Sequence, residues 1–144
     1  MRVALVHNED AGDGSSVDEI TALLERHGHC LVQVIDKEFR VERITESHAD
    51  LVVAAGGEGT AGAAARVLGG GQLALGILPL GTANNIAKSL NSDGPLDELV
   101  ASWRRTQRQS LDIGFARGEW GEQIFFESVG AGLIPAGIAA AAFV

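Results

Sequence analysis

A chain of 144 residues, 46% hydrophobic and 5% aromatic, has the length of one ordinary domain and enough apolar material for a core. Its formal net charge of −8 argues against a nucleic-acid partner, which would call for a basic face. The single cysteine, Cys30, excludes an internal disulfide and a cysteine-built metal centre.

The apolar run at residues 3–6 reads as a strand covered on both faces. A polar loop, "HNEDAGDGSS", follows. Ser16 with Glu19 three residues later has the form of a capping box, and it opens a helix with Val17, Ile20, Leu23 and Leu24 on one face. Gly28 is placed to stop that helix. Residues 31–35 read as a second strand and 39–47 as a short helix. A strand at 51–55, a helix at 60–68, a strand at 73–78 and a helix at 83–90 come next. Pro95 opens a further helix carrying Leu96, Leu99, Val100 and Trp103. Strands alternating with helices at this spacing predict an α/β fold, an open and mainly parallel sheet with helices on both faces. After Thr106 the pattern changes to two strands around a Gly-Glu-Trp-Gly turn, which places a boundary near residue 108. Residues 1–108 are thus expected to form the α/β part, and 109–144 the beginning of a β-rich second part. The most apolar stretch, 129–144, is broken by glycine and shorter than the ~20 residues of a membrane span. No basic-then-apolar leader is present, and the expected location is the cytoplasm.

Two stretches make the same change from strand to glycine turn to helix: "LVVAAGGEGTAGAAARVL" from Leu51 and "LALGILPLGTANNIAKSL" from Leu73. In an open α/β sheet such turns lie at the carboxyl ends of the strands, where ligands bind. Gly56, Gly57 and Gly59 remove side chains there, so backbone N–H groups and the positive end of the next helix can meet an anion, phosphate above all. Gly81 and Thr82 build a second such turn. Thr60 and Thr82 add hydroxyls, and Asn84 and Asn85 add neutral amides. From Gly59 to Ser92 there is no Asp or Glu, and the only charges are Arg66 and Lys88. Glu58 is the one acid beside this site. An acid next to phosphate implies an intervening cation or a proton-transfer role, so Glu58 reads as a Mg²⁺-linked or acid–base group of phosphoryl transfer.

A competing reading comes from Gly57, Gly59 and Gly62, which satisfy the G-x-G-x-x-G dinucleotide fingerprint. That fingerprint wants a ribose-binding acid about 20 residues on and normally follows the first strand. Here the corresponding position falls in the acid-free gap, and the motif follows the third strand. A P-loop is excluded, because no Gly-Lys-Ser/Thr follows the glycines.

The segment "GGEGT" resembles the Gly-Gly-Asp-Gly-Thr motif shared by diacylglycerol kinases, sphingosine kinases and NAD kinases. "GILPLGTANNIAKSL" resembles the Pro-x-Gly-Thr-x-Asn-Asp segment of the diacylglycerol-kinase branch. "HNEDAGDG" is similar to the family's N-terminal loop, and "LDIGFARGEW" to the start of its β-rich lobe. The resemblance implies the nucleotide-binding lobe of a two-lobed kinase that takes ATP and Mg²⁺ and phosphorylates a lipid hydroxyl. It implies further that Asn8 lies in the nucleotide loop and that Gly56, Gly57, Gly59 and Thr60 line the phosphates. Gly81, Thr82 and Asn84 would close the other side. Glu58 stands at the family's aspartate as the catalytic candidate, Asn85 at a second acid and Ile35 at a threonine near the adenine. Two other readings stay open: a nucleotide-binding module without kinase activity, and a kinase of a small acceptor such as NAD. Expected partners are the nucleotide and a lipid or small alcohol, with peripheral membrane contact and self-association through 129–144. The four histidines show no metal-ligand spacing; His7 is near the site, while His27, His29 and His48 read as surface or cap residues. Trp103 reads as core, and Arg104, Arg105 and Arg108 as a cationic helix end or a contact for anionic headgroups.

Overall fold

The computed structural model describes residues 1–8, 15–35, 41–105, 107–119 and 121–126. The chain divides into two compact units, Met1–Ser110 and Leu111–Val144. The first contains β1 (Arg2–His7), α1 (Val17–Arg26), β2 (Cys30–Ile35), α2 (Val41–Glu46), β3 (Leu51–Gly56), α3 (Glu58–Leu68), β4 (Ala74–Pro79), α4 (Asn85–Ser89) and α5 (Leu96–Ser102). Its four strands pair in parallel in the order β2-β1-β3-β4, the open α/β sheet that the alternation predicts.

The unbroken apolar runs of β1 and β3 occupy the middle of the sheet because both of their faces are covered. On one face Val3, Leu5, Val53 and Leu78 pack against Ile20 and Leu24 of α1 and Val100 of α5. On the other, Ala4, Val6, Val52 and Ile35 pack with Ile44 of α2, flanked by Val67 and Leu68 of α3. The edge strand β2 carries a bulge: Val3 pairs with Leu31 but Ala4 pairs with Gln33, leaving Val32 over, 40% exposed. Leu31 therefore joins the first core and Ile35 the second.

The local signals of α1 are realised as read. Glu19 N–H donates to Ser16 Oγ at 3.2 Å, and Ser16 N–H donates to Glu19 Oε2 at 2.8 Å. Gly28 ends the helix at φ +70°, with the His29 N–H reaching back to the Leu24 carbonyl at 2.9 Å. At the opposite end of the sheet from the glycine turns, Arg2 donates to both carboxylate oxygens of Asp50, at 2.8 Å from Nη2 and 2.7 Å from its backbone N–H. These bonds hold the Asp50 carboxyl down at about 2. Trp103 is core material as expected: its ring lies over Gly76, where a Cβ would come within 3.3 Å of Cζ2.

His29 corrects the sequence reading. It is not a surface residue but 4% exposed, because it enters β2 beneath α5. Its Nε2–H donates to the Val100 carbonyl at 3.3 Å, and its ring lies 5.7 Å from that of Trp103. Nδ1 is buried with no partner among the described residues. Burial lowers the pKa of His29 from 6.5; the Val100 bond opposes this, and the N-terminal ammonium, Arg104 and His27 reinforce it. The unfolded chain therefore takes up this proton first as pH falls. The stabilisation is fully present above 6.5 and is lost as pH falls from there through the folded-state value. Unfolding midpoints measured from about pH 7.5 to 5 should decline, and His29→Phe should flatten that decline. An unchanged slope in the variant would remove His29 as its source.

In the second unit, β5 (Gly114–Gly118) and β6 (Gly121–Phe125) form an antiparallel hairpin, as the turn signal predicts. Gly121 takes φ +99° at the turn. Gly114 has no side chain because the Phe125 ring lies across it. The apolar segment 129–144 and loop residues 9–14 lie outside the described residues. No helix among the described residues is long and apolar enough to cross a membrane.

Candidate functional site

Strands β1, β3 and β4 end side by side at His7, Gly56 and Pro79. The ladder runs one step further at each junction. Asn8 N–H donates to the Ala55 carbonyl at 3.2 Å, and Leu80 N–H to the Gly56 carbonyl at 3.0 Å. The chain leaves β1 towards β2 on one side and returns to β3 and β4 on the other, so this edge is the topological switch point of the sheet. Here α3 begins. Its N-cap, Gly57, has extended geometry and no side chain to occupy the first-turn N–H groups.

The two glycine turns meet backbone to backbone. A Cβ on Gly81 would lie 2.6 Å from Gly57 Cα and 2.9 Å from Asn84 Oδ1, so glycine at 81 is required by contact within the protein. Gly56 is likewise closed off, since a Cβ there would lie 2.8 Å from Thr60 Cβ. Gly59 differs: it is exposed, and a Cβ there would meet no described residue within 4 Å. Thr60 is 8% exposed and turned towards Gly56, whereas Thr82 is exposed on the β4–α4 turn.

Asn84 sits in the left-handed region at φ 51°, where Asn is among the few residues tolerated. Its Oδ1 accepts from Gly81 N–H at 3.0 Å, and its Nδ2 donates to the carbonyls of Pro79 at 3.1 Å and Gly81 at 2.5 Å. The amide shapes the turn from within. This left-handed kink also explains why α4 covers Asn85–Ser89 and not the predicted 83–90. Glu58, the first residue of α3, accepts through Oε1 from Ile86 N–H of α4 at 3.0 Å. Of the site residues read from sequence, Gly56, Gly57, Glu58, Thr60, Gly81 and Asn84 are thus brought into direct contact with one another or through Ile86. Asn8 lies at the adjoining strand end. Ile86 was missed; its partner is 28 residues away, a tertiary contact that no local pattern marks. His7, 6% exposed, hydrogen-bonds the Ser15 carbonyl through Nε2 at 2.8 Å.

Among the described residues no cluster of three or more His, Cys, Asp or Glu side chains could hold a metal ion. Among the described residues Glu58 thus has no second and third ligand of that kind beside it. Arg66 and Lys88 stand in the last turns of α3 and α4, so the helix starts that face the turns carry no cation of their own.

Sheet order and glycine turns place the chain among the open α/β proteins that present helix starts at their switch point. Within that class it belongs to the diacylglycerol kinase catalytic-domain family, whose model matches residues 2–116. It is similar to proteins named diacylglycerol kinase from Mycobacterium tuberculosis strains CDC 1551 / Oshkosh and ATCC 25618 / H37Rv. With each it is 27% identical over 143 residues, 90% of this chain and 45% of the relative. The chain thus spans about half the length of the curated relatives it matches. The fold resembles a crystal structure from Bacillus anthracis str. Sterne of a protein assigned to the diacylglycerol kinases. That match has a TM-score of 0.58 and 20% identity, covering 78% of this chain and 44% of the other.

Proposed function

We propose that this chain is the nucleotide-binding lobe of an ATP-dependent lipid kinase, in which the γ-phosphoryl group of ATP passes to a lipid hydroxyl. The observation that carries the reading is the meeting of the Gly57 and Gly81 turns at the switch point, beside the uncapped start of α3. The β- and γ-phosphates lie against the N–H groups of Gly57, Gly59 and the first turn of α3, with the Thr82 hydroxyl and Asn8 at the margins. The open space over Gly59 favours this arrangement, because no contact within the described residues requires glycine there. Gly56, Thr60, Gly81 and Asn84 hold the cradle in shape from behind. Mg²⁺ would accompany the nucleotide and neutralise phosphate charge there. In the transfer the acceptor oxygen bonds to the γ-phosphorus as the bond to the bridging oxygen breaks, leaving ADP and releasing the hydroxyl proton. Residues 1–108 act as the nucleotide lobe, and 109–144 open the β-rich lobe that takes the acceptor. The family's lipid-kinase members and the Gly81-Thr82-Ala83-Asn84 segment favour a lipid over NAD as acceptor.

Calorimetric titration with ATP and ADP, with and without Mg²⁺, tests the reading, with Gly57→Asp as the control. Among the described residues a Cβ at Gly57 meets only Gly81 Cα, at 3.5 Å, so the backbone tolerates the change while a carboxylate is placed in the cradle. The variant should bind at least about tenfold more weakly, a like-charge penalty of roughly 1.4 kcal/mol. Well-folded wild-type protein that takes up no nucleotide at millimolar concentration would sink the proposal.

A further inference from the structure

We infer that Glu58 is a positioning residue: its carboxylate is the cap of α4 and, through α4, sets the Gly81–Asn84 side of the cradle. The inference rests on the nucleotide-binding reading above and departs from an acid–base or cation-linked role for this side chain.

Helix α4 has no local cap. Its N-cap residue, Asn84, is left-handed and makes no side-chain cap bond, since its amide is engaged with Pro79 and Gly81. The N–H that an ordinary N-cap side chain would take is that of the second or third helical residue. In α4 the second residue is Ile86, and its N–H goes to Glu58 Oε1 at 3.0 Å. The cap is therefore supplied from α3, across the line where Gly57 and Gly81 touch. Four contacts then close a ring: Gly57 on Gly81, Gly81 on Asn84, Asn84 at the head of α4, and α4 on Glu58.

This arrangement accounts for an acid in an otherwise acid-free segment. The negative charge is directed at an N–H at the start of α4, and it sits in the first turn of α3, so both helix dipoles favour it. It also accounts for glutamate over aspartate. A side chain shorter by one bond, about 1.5 Å, would fall out of hydrogen-bond range of Ile86 without a backbone shift.

The test is a set of three variants, Glu58→Gln, Glu58→Asp and Glu58→Ala, each read twice. Hydrogen exchange of the Ile86 amide, followed by NMR without ligand, reports the cap; calorimetric ATP affinity reports the cradle. Glu58→Gln keeps an oxygen acceptor of the same reach, so it should retain Ile86 protection and ATP affinity within about threefold of wild type. Glu58→Ala and Glu58→Asp should lose Ile86 protection by roughly fivefold or more, and ATP affinity with it. Loss of ATP affinity in Glu58→Gln with the Ile86 amide still protected would overturn the proposal, because charge and not position would then matter. An Ile86 amide equally protected in Glu58→Ala would overturn it as well. If no variant and no wild type binds ATP, the nucleotide reading fails, while Ile86 exchange still decides whether Glu58 holds α4.

Discussion

Gly81→Ala is expected to lower the stability of the first unit by about 1–3 kcal/mol, the range for forcing atoms into a packed site. The new methyl would lie 2.6 Å from Gly57 Cα, a backbone atom that no side-chain rotation can clear, and 2.9 Å from Asn84 Oδ1. One turn must therefore move off the other, and bound nucleotide would lose one wall of its cradle. For a unit of this size the unfolding midpoint should fall by at least ~4 °C. Gly59→Ala is the matched comparison. Its methyl meets no described residue within 4 Å, and alanine in a helix is better than glycine by roughly 0.5–1 kcal/mol, so the midpoint should hold or rise. If Gly59→Ala nonetheless weakens ATP binding, the space above residue 59 belongs to the ligand. A Gly81→Ala protein as stable as wild type would show that the two turns can separate freely.

Asn84→Ala should be comparably severe, for a different reason. The change removes three hydrogen bonds, each worth about 0.5–1.5 kcal/mol, and leaves a β-carbon-bearing residue without Asn's tolerance at φ 51°. A combined loss of roughly 2–4 kcal/mol is expected. Asn84→Gly should recover the backbone part and leave the hydrogen-bond part. Asn84→Asp should do no better than alanine, because it replaces two donors with a carboxylate facing the Pro79 and Gly81 carbonyls. Denaturant midpoints of the three variants separate the contributions; equal values for Gly and Ala would remove backbone strain from the account.

What the sequence disclosed was local chemistry. The Ser16–Glu19 box, the Gly28 stop, the apolar runs of β1 and β3 and the hairpin turn each act within a few residues, and each is realised. The switch-point location of both glycine turns also followed, since alternation alone fixes a parallel sheet. The glycines themselves were less legible. Gly56, Gly57, Gly59 and Gly81 look alike in sequence, yet Gly56 and Gly81 answer to contacts inside the protein and Gly59 to none among the described residues. Asn84 was read as an amide offered to a ligand, but its polar atoms face its own turn. The burial of His29 escaped because α5, which covers it, arrives about 70 residues later. In each case the deciding neighbour is distant in the chain and close in space.

The bulge in β2 has a genetic reading. Remove Val32, and Leu31 still faces Val3 while Gln33, Val34 and Ile35 keep Ala4, Leu5 and Val6 as partners. Keep all six residues but forbid the bulge, and the frame slips by one: Ile35 leaves the α2 side of the sheet for the α1 side. Val32 is a spare letter in the strand. Its deletion is the one in-frame loss within β2 that leaves every pair intact.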